Sequence, residues 1–256
     1  MPELKKELTI AERIGELRRR VAEAAARCGR KTEDIRIIAV TKTHPVNYLH
    51  EAFAAGLTNF GENKIQEAKE KFPLIDSAKV TGPITRHLIG HLQTNKVRQA
   101  VEIFDVIHSV DSVRLATEID KRAYTKDRVM PILIQVNTSR EKSKYGIDPD
   151  ETLKLVKQVA EFKNVKITGL MTIGALTAST SGDPDKVRLF FKRLRELRDF
   201  IADQKIPNVD MRDLSMGMTH DFETAIEEGA TMIRIGTAIF GKRKRGSAAP
   251  KLEEKN

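Results

Sequence analysis

The chain has 256 residues, 40% of them apolar and 32% charged, with a formal net charge of +9. That length allows one large domain with a substantial core, and no uninterrupted apolar run approaches the ~20 residues of a membrane span. A single cysteine, Cys28, excludes an internal disulfide and any multi-cysteine metal site.

The opening residues, Met1 to Leu8, mix charges and lack the apolar centre of a secretory signal, so a cytoplasmic location is expected. Helical spacing runs over 3–28, with Leu4, Leu8, Ile10, Ile14, Leu17, Val21, Ala24 and Ala25 on one face; Gly29 after Cys28 predicts the stop. Strands are expected at Ile35–Thr41, Asn59–Gly61, His87–Gly90, Val106–Val110, Met130–Asn137, Lys166–Thr172, Asp213–Met216 and Met232–Gly236. Between them, helices are expected at Val46–Ala55, Asn63–Phe72, Thr94–Phe104, Ser112–Tyr124, Pro149–Phe162, Asp185–Gln204 and Thr219–Glu228. The strands are nearly continuous in apolar residues, as in parallel sheets covered on both faces.

This alternation predicts an α/β fold: a (β/α)8 TIM-type barrel over 1–241, with an additional N-terminal helix. A doubly wound open sheet is the runner-up. Against it, no Gly-x-Gly-x-x-Gly follows the first strand and no Walker-type loop is present. Residues 242–256 carry six basic residues against two acidic ones and almost nothing apolar, so they read as a disordered tail. A basic tail could touch phosphate backbones. It lacks interleaved aromatics for base stacking, however, and a solvated tail is the expectation.

Lys42 ends the apolar run from Ile35 to Val40 and stands at the mouth of a core. Long stems carry many such lysines to solvent. A recessed amine is also what nucleophilic attack on an aldehyde requires. In a parallel barrel the site lies at the C-terminal strand ends. Those ends gather Lys42, Asn63, Gly90 with His91, Asn137 with Ser139, Met171 with Thr172, Ser215 to Gly217, and Gly236 with Thr237. Strand parity places Lys42 with Ile38 and Val40, and Arg234 with Met232 and Gly236, leaving Ile233 and Ile235 for the helix layer. The last two strand ends, Ser215 to Thr219 and Gly236 to Ala238, offer glycines and hydroxyls to an anion. Thr219 is alternatively a helix cap, with Asp221 near the helix's positive end. A lysine beside a phosphate cradle is the demand of pyridoxal phosphate, PLP. His87 and His91 lack the helix-borne partner a metal pair would need, and no paired carboxylates are evident for glycosidase-type chemistry.

Six segments carry a family resemblance: Ala39 to Thr43, Phe60 to Asn63, His87 to Gly90 with Gln93 to Lys96, Gly169 to Met171, Leu214 to Met218, and Arg234 to Gly241. Over residues 8–243 the chain resembles the pyridoxal phosphate homeostasis proteins, single-domain relatives of the alanine racemase barrel. The resemblance implies PLP held as a Schiff base on Lys42, with its phosphate on Ser215, Gly236 and Thr237. It further implies Arg234 facing the pyridine nitrogen, Asn63 beside the ring, and Met171 within the cofactor-binding set. One departure is His91, where family members often have proline. An arginine at the ring nitrogen makes a weaker electron sink than a carboxylate would.

Racemases of this fold add a second domain with another proton-transferring residue, and this chain stops just past its eighth strand. Retention and delivery of PLP, with apo enzymes as recipients, by a non-catalytic or weakly catalytic monomer is therefore the leading expectation. The alternative is a racemase-like enzyme of low activity on the same cofactor. A nucleic-acid-binding protein using its tail is the third reading. Lys144 raises a further question, whether a second lysine assists transfer, against the plainer reading of a solvated loop residue.

Overall fold

The computed structural model describes residues 7–77, 82–141, 143–174 and 184–241. The leading helix, α1 (Ile10–Arg27), begins at a reciprocal cap. The Thr9 hydroxyl accepts the Glu12 N–H at 3.2 Å, and the Glu12 carboxylate accepts the Thr9 N–H at 2.7 Å. It ends at Cys28, followed by Gly29 at φ +68°, a left-handed position that glycine adopts without strain. Ile10, Ile14, Leu17, Val21, Ala24 and Ala25 form its buried stripe. Leu8 does not belong to that stripe: it precedes the helix and is exposed, while Leu4 lies outside the described residues.

Eight strands follow: β1 (Arg36–Val40), β2 (Asn59–Glu62), β3 (Thr85–Leu88), β4 (Val106–Val110), β5 (Met130–Gln135), β6 (Val165–Met171), β7 (Val209–Ser215) and β8 (Met232–Ile235). They pair in parallel and in chain order, and β1 closes onto β8. Closure removes the open-sheet alternative. The outer layer comprises α2 (Val46–Ala54), α3 (Ile65–Ser77), α4 (Val97–Ile103), α5 (Val113–Tyr124), α6 (Thr152–Ala160), α7 (Pro184–Asp203) and α8 (Phe222–Glu227). A short α9 (Thr237–Phe240), not expected from the sequence, follows β8, and α1 packs against α2, α8 and α9.

Parity along the strands separates two apolar regions. Ala39, Ile233 and Ile235 join the large cluster between sheet and helices. Ile38, Val40, Leu133, Met171 and Met232 are buried outside that cluster, as barrel-interior residues should be. Lys42 and Arg234 continue the inward rows, as the sequence predicts.

The differences from the sequence reading are local. β7 begins at Val209, four residues before the expected start, because charged residues break the apolar pattern there. Asp213 is nonetheless buried and ion-paired to Arg36. α3 continues past Phe72 through Pro73. α8 starts at Phe222 with Asp221 in the cap position, so Thr219 is not a helix cap. The tail, 242–256, lies outside the described residues.

Candidate functional site

A cavity of about 380 Å³ opens at the C-terminal end of the barrel. That volume lies within the roughly 300–1,000 Å³ typical of small-molecule sites. Lys42 and Val40 line it from β1 and its loop, Asn63 from the end of β2, and Arg234, Gly236 and Thr237 from β8 and the turn into α9. Five of the seven residues expected at the site therefore converge on one cavity. Met171 and Ser215 are fully buried and are not part of its lining.

The backbone at Lys42 is held from α3. Lys71 Nζ donates to the Thr41 carbonyl at 2.8 Å, and Glu67 Oε2 accepts the Thr43 N–H at 2.6 Å. Thr43 sits at φ +65°, a strained conformation for a β-branched residue. Lys71 also donates to Glu67 at 3.1 Å and to the fully buried Glu62 at 2.9 Å, and the Thr41 hydroxyl donates to Glu62 at 2.7 Å. Burial pushes the Glu62 carboxyl above its ordinary range, with Lys71 and Thr41 opposing. At Glu67 burial acts in the same direction, but the Thr43 N–H and the Lys71 ammonium outweigh it and hold that carboxyl low.

Arg234 crosses the floor of the site. Its Nη1 donates to Ser215 Oγ and its Nη2 to the Thr172 carbonyl, both at 2.8 Å. Burial lowers its pKa to about 10, with Asp221 opposing, so the guanidinium stays charged at neutral pH. Gly90 explains the approach of the third strand end: a Cβ there would stand 2.2 Å from the Asn63 carbonyl oxygen. Gly236 is different, since a Cβ would meet nothing in the protein closer than 3.5 Å. That Cβ would contact Val40 alone, and Gly236 and Val40 both line the cavity.

Sequence reasoning missed part of the wall. Met218, Thr219, His220 and Asp221 line the cavity from the β7 loop, and His44, Ile89 and Ile173 complete it. The Thr219 hydroxyl accepts the Ala238 N–H at 3.3 Å, tying this loop to the start of α9. His44 was legible only as the second residue after Lys42, and its ring stacks near Tyr48 and Phe240. His87 and His91 go separate ways. His87 is buried against His108, whereas His91 stacks on Tyr145 with ring centroids 3.7 Å apart. Lys144 lies off the cavity, donating to Glu141 and the Gly174 carbonyl, both at 3.2 Å. Among the described residues no helix is long and apolar enough to cross a membrane.

Comparison with known proteins agrees with this geometry. A family profile described as "Alanine racemase, N-terminal domain" matches residues 13–244. The pyridoxal phosphate homeostasis protein of Aquifex aeolicus is 40% identical over 237 residues, 93% of this chain and 100% of that one. The Escherichia coli K12 protein of the same name is 39% identical over 234 residues, covering 91% and 97%. The structure of PipY from Synechococcus elongatus with PLP bound superposes with a TM-score of 0.78 at 36% identity, covering 91% of this chain and 100% of that one. The chain belongs to the alanine racemase N-terminal domain family and, within it, to the pyridoxal phosphate homeostasis proteins.

Proposed function

We propose that this protein binds PLP in the barrel-end cavity, holds it reversibly on Lys42, and so buffers the free cofactor inside the cell before it passes to apo enzymes. The observation that carries this reading is that Lys42, Arg234 and Gly236, from the ends of the neighbouring strands β1 and β8, line one cavity. PLP supplies an aldehyde that condenses reversibly with a primary amine. The residues present fit it. Lys42 provides the amine, and the Gly236 turn lets an anionic group approach closely where any side chain would intrude. Thr219 and Thr237 line the same cavity.

Arg234 can only donate, and at neutral pH it keeps its proton. Facing a ring nitrogen, it leaves that nitrogen as an acceptor, which suits retention better than electron withdrawal. The α3 side chains hold the peptides on both sides of Lys42, so the amine is presented from a fixed backbone. Sequestering a reactive aldehyde from stray amines gives such a carrier its chemical rationale.

Purified protein loaded with PLP is expected to be yellow, and borohydride reduction followed by peptide mapping should place the label on Lys42. Lys42→Ala should lose the visible band; a variant that keeps the full band overturns the assignment. A second reading, weak racemase-like catalysis, draws on His44 and His220, which line the same cavity. Lys42-dependent deuterium exchange at the α-carbon of amino acids would favour it.

A further inference from the structure

We propose that His108 and His87 are positioning residues for Arg234, acting through Ser215 in a hydrogen-bond chain of fixed direction that ends on Asn59. The chain runs through the barrel interior. Arg234 Nη1 lies 2.8 Å from Ser215 Oγ, Ser215 Oγ 2.9 Å from His108 Nδ1, His108 Nε2 2.9 Å from His87 Nδ1, and His87 Nε2 3.0 Å from Asn59 Oδ1. Ser215 and His108 are fully buried and His87 nearly so, while Asn59 at the far end is half-buried.

The two ends set the direction. Arginine has donors only, so Ser215 must accept from Arg234. At the far end Asn59 Nδ2 donates to Thr58 Oγ1 at 3.3 Å, and in that orientation of the amide Oδ1 is the acceptor facing His87. The direction proposed for the chain follows from this orientation, and the opposite one would turn both imidazoles to the Nδ1–H form. His87 therefore carries its proton on Nε2 and accepts at Nδ1. His108 then donates from Nε2 and accepts at Nδ1, and that acceptor takes the one proton of Ser215. Every link is satisfied once, with both imidazoles neutral.

The charged and titratable groups around the pair agree with neutrality. Burial, with Arg36 adding, pushes His87 down to about 3. Burial together with His87, Arg234 and Arg36 drives His108 well below its ordinary range. Arg36 is itself paired with Asp213.

The consequence concerns Ser215. Its hydroxyl proton is committed to His108, so toward Arg234 it presents lone pairs alone. Ser215 then serves to fix the guanidinium and does not donate to a phosphate, a task that falls to groups on the cavity wall. Only the cofactor readout below rests on the proposed PLP function; the direction of the chain does not.

The first test is nitrogen-detected NMR of the imidazoles in the unliganded protein. Both rings should be neutral Nε2–H tautomers from about pH 5 to pH 8, a range in which an ordinary histidine titrates. An Nδ1–H tautomer on either ring, or protonation of either within that range, overturns the proposal. The second test compares His108→Gln with His108→Phe. Glutamine can accept from Ser215 and donate to His87, so H108Q should keep near-native PLP affinity and the Nε2–H form of His87. H108F should bind PLP about tenfold more weakly, the scale of one lost hydrogen bond to a charged group. Equal affinities in the two variants overturn it. Should the wild-type protein fail to bind PLP at all, the function proposed above fails, while the tautomers still decide the chain.

Discussion

Lys71 Nζ and the carbonyl of Thr41 lie 2.8 Å apart, so a helix side chain grips the peptide that leads into Lys42. Four residues earlier on the same helix face, Glu67 grips the peptide that leaves it. The amine at the rim thus depends on α3 for its backbone as much as on the strand that carries it.

Replacing Lys71 by methionine would leave the carboxylate of Glu62, which has no solvent exposure, without its cation. Breaking a buried pair from one side typically costs about 3–5 kcal/mol. Lys71→Met should therefore lower unfolding free energy by that order in urea titrations, and Glu62→Gln in the same chain should recover much of it. A K71M protein as stable as wild type would show that this pair contributes nothing to the fold.

Glu67 gives a pH-dependent prediction of definite sign. Its carboxyl is held below the ordinary value in the folded state, so the unfolded chain binds its proton first as pH falls. Its contribution is present above the unfolded pKa of about 4.3 and disappears as pH falls through the folded value. Glu67→Gln should be less stable than wild type by ~1–2 kcal/mol at neutral pH, the scale of a charge-assisted hydrogen bond. That gap should narrow in denaturation curves as pH falls below the unfolded value, and close once Glu67 is protonated in the folded protein as well. An unchanged gap there would contradict the assignment.

Gly236→Ala should separate binding from folding. The new methyl meets protein atoms no closer than 3.5 Å, and the backbone at φ −109° suits any residue. Stability should change by less than about 0.5 kcal/mol. The methyl nonetheless projects where an anionic group must approach, so PLP affinity should fall by about tenfold or more, equivalent to 1.4 kcal/mol. Equilibrium dialysis beside a thermal melt measures both.

Gly90→Ala is the contrasting case. Its Cβ would sit 2.2 Å from the Asn63 carbonyl oxygen, a backbone atom that cannot swing aside. A loss of about 3 kcal/mol is expected, as for overpacking that forces a backbone shift. A melting temperature equal to wild type would show that the β2 and β3 ends move freely.

Much of this protein was determined along the chain. The alternation of apolar strands with 3.6-period helices dictated a parallel α/β sheet, because parallel strands need both faces covered and a crossover between each pair. The pairing of β1 with β8 decided for the barrel over an open sheet. Parity along β1 and β8 then sent Lys42 and Arg234 inward, since neighbouring strand residues face opposite ways. What only the tertiary structure decided is how residues distant in sequence share one interior. No local spacing connects Ser215 with His108, or Lys71 with Thr41, because those contacts arise from barrel closure and from the angle at which α3 lies on the sheet. Ser215 illustrates the difference. As sequence it is a hydroxyl beside a glycine turn, fit for an anion; in the folded barrel it is fully buried, outside the cavity lining, with an arginine and an imidazole as its hydrogen-bond partners.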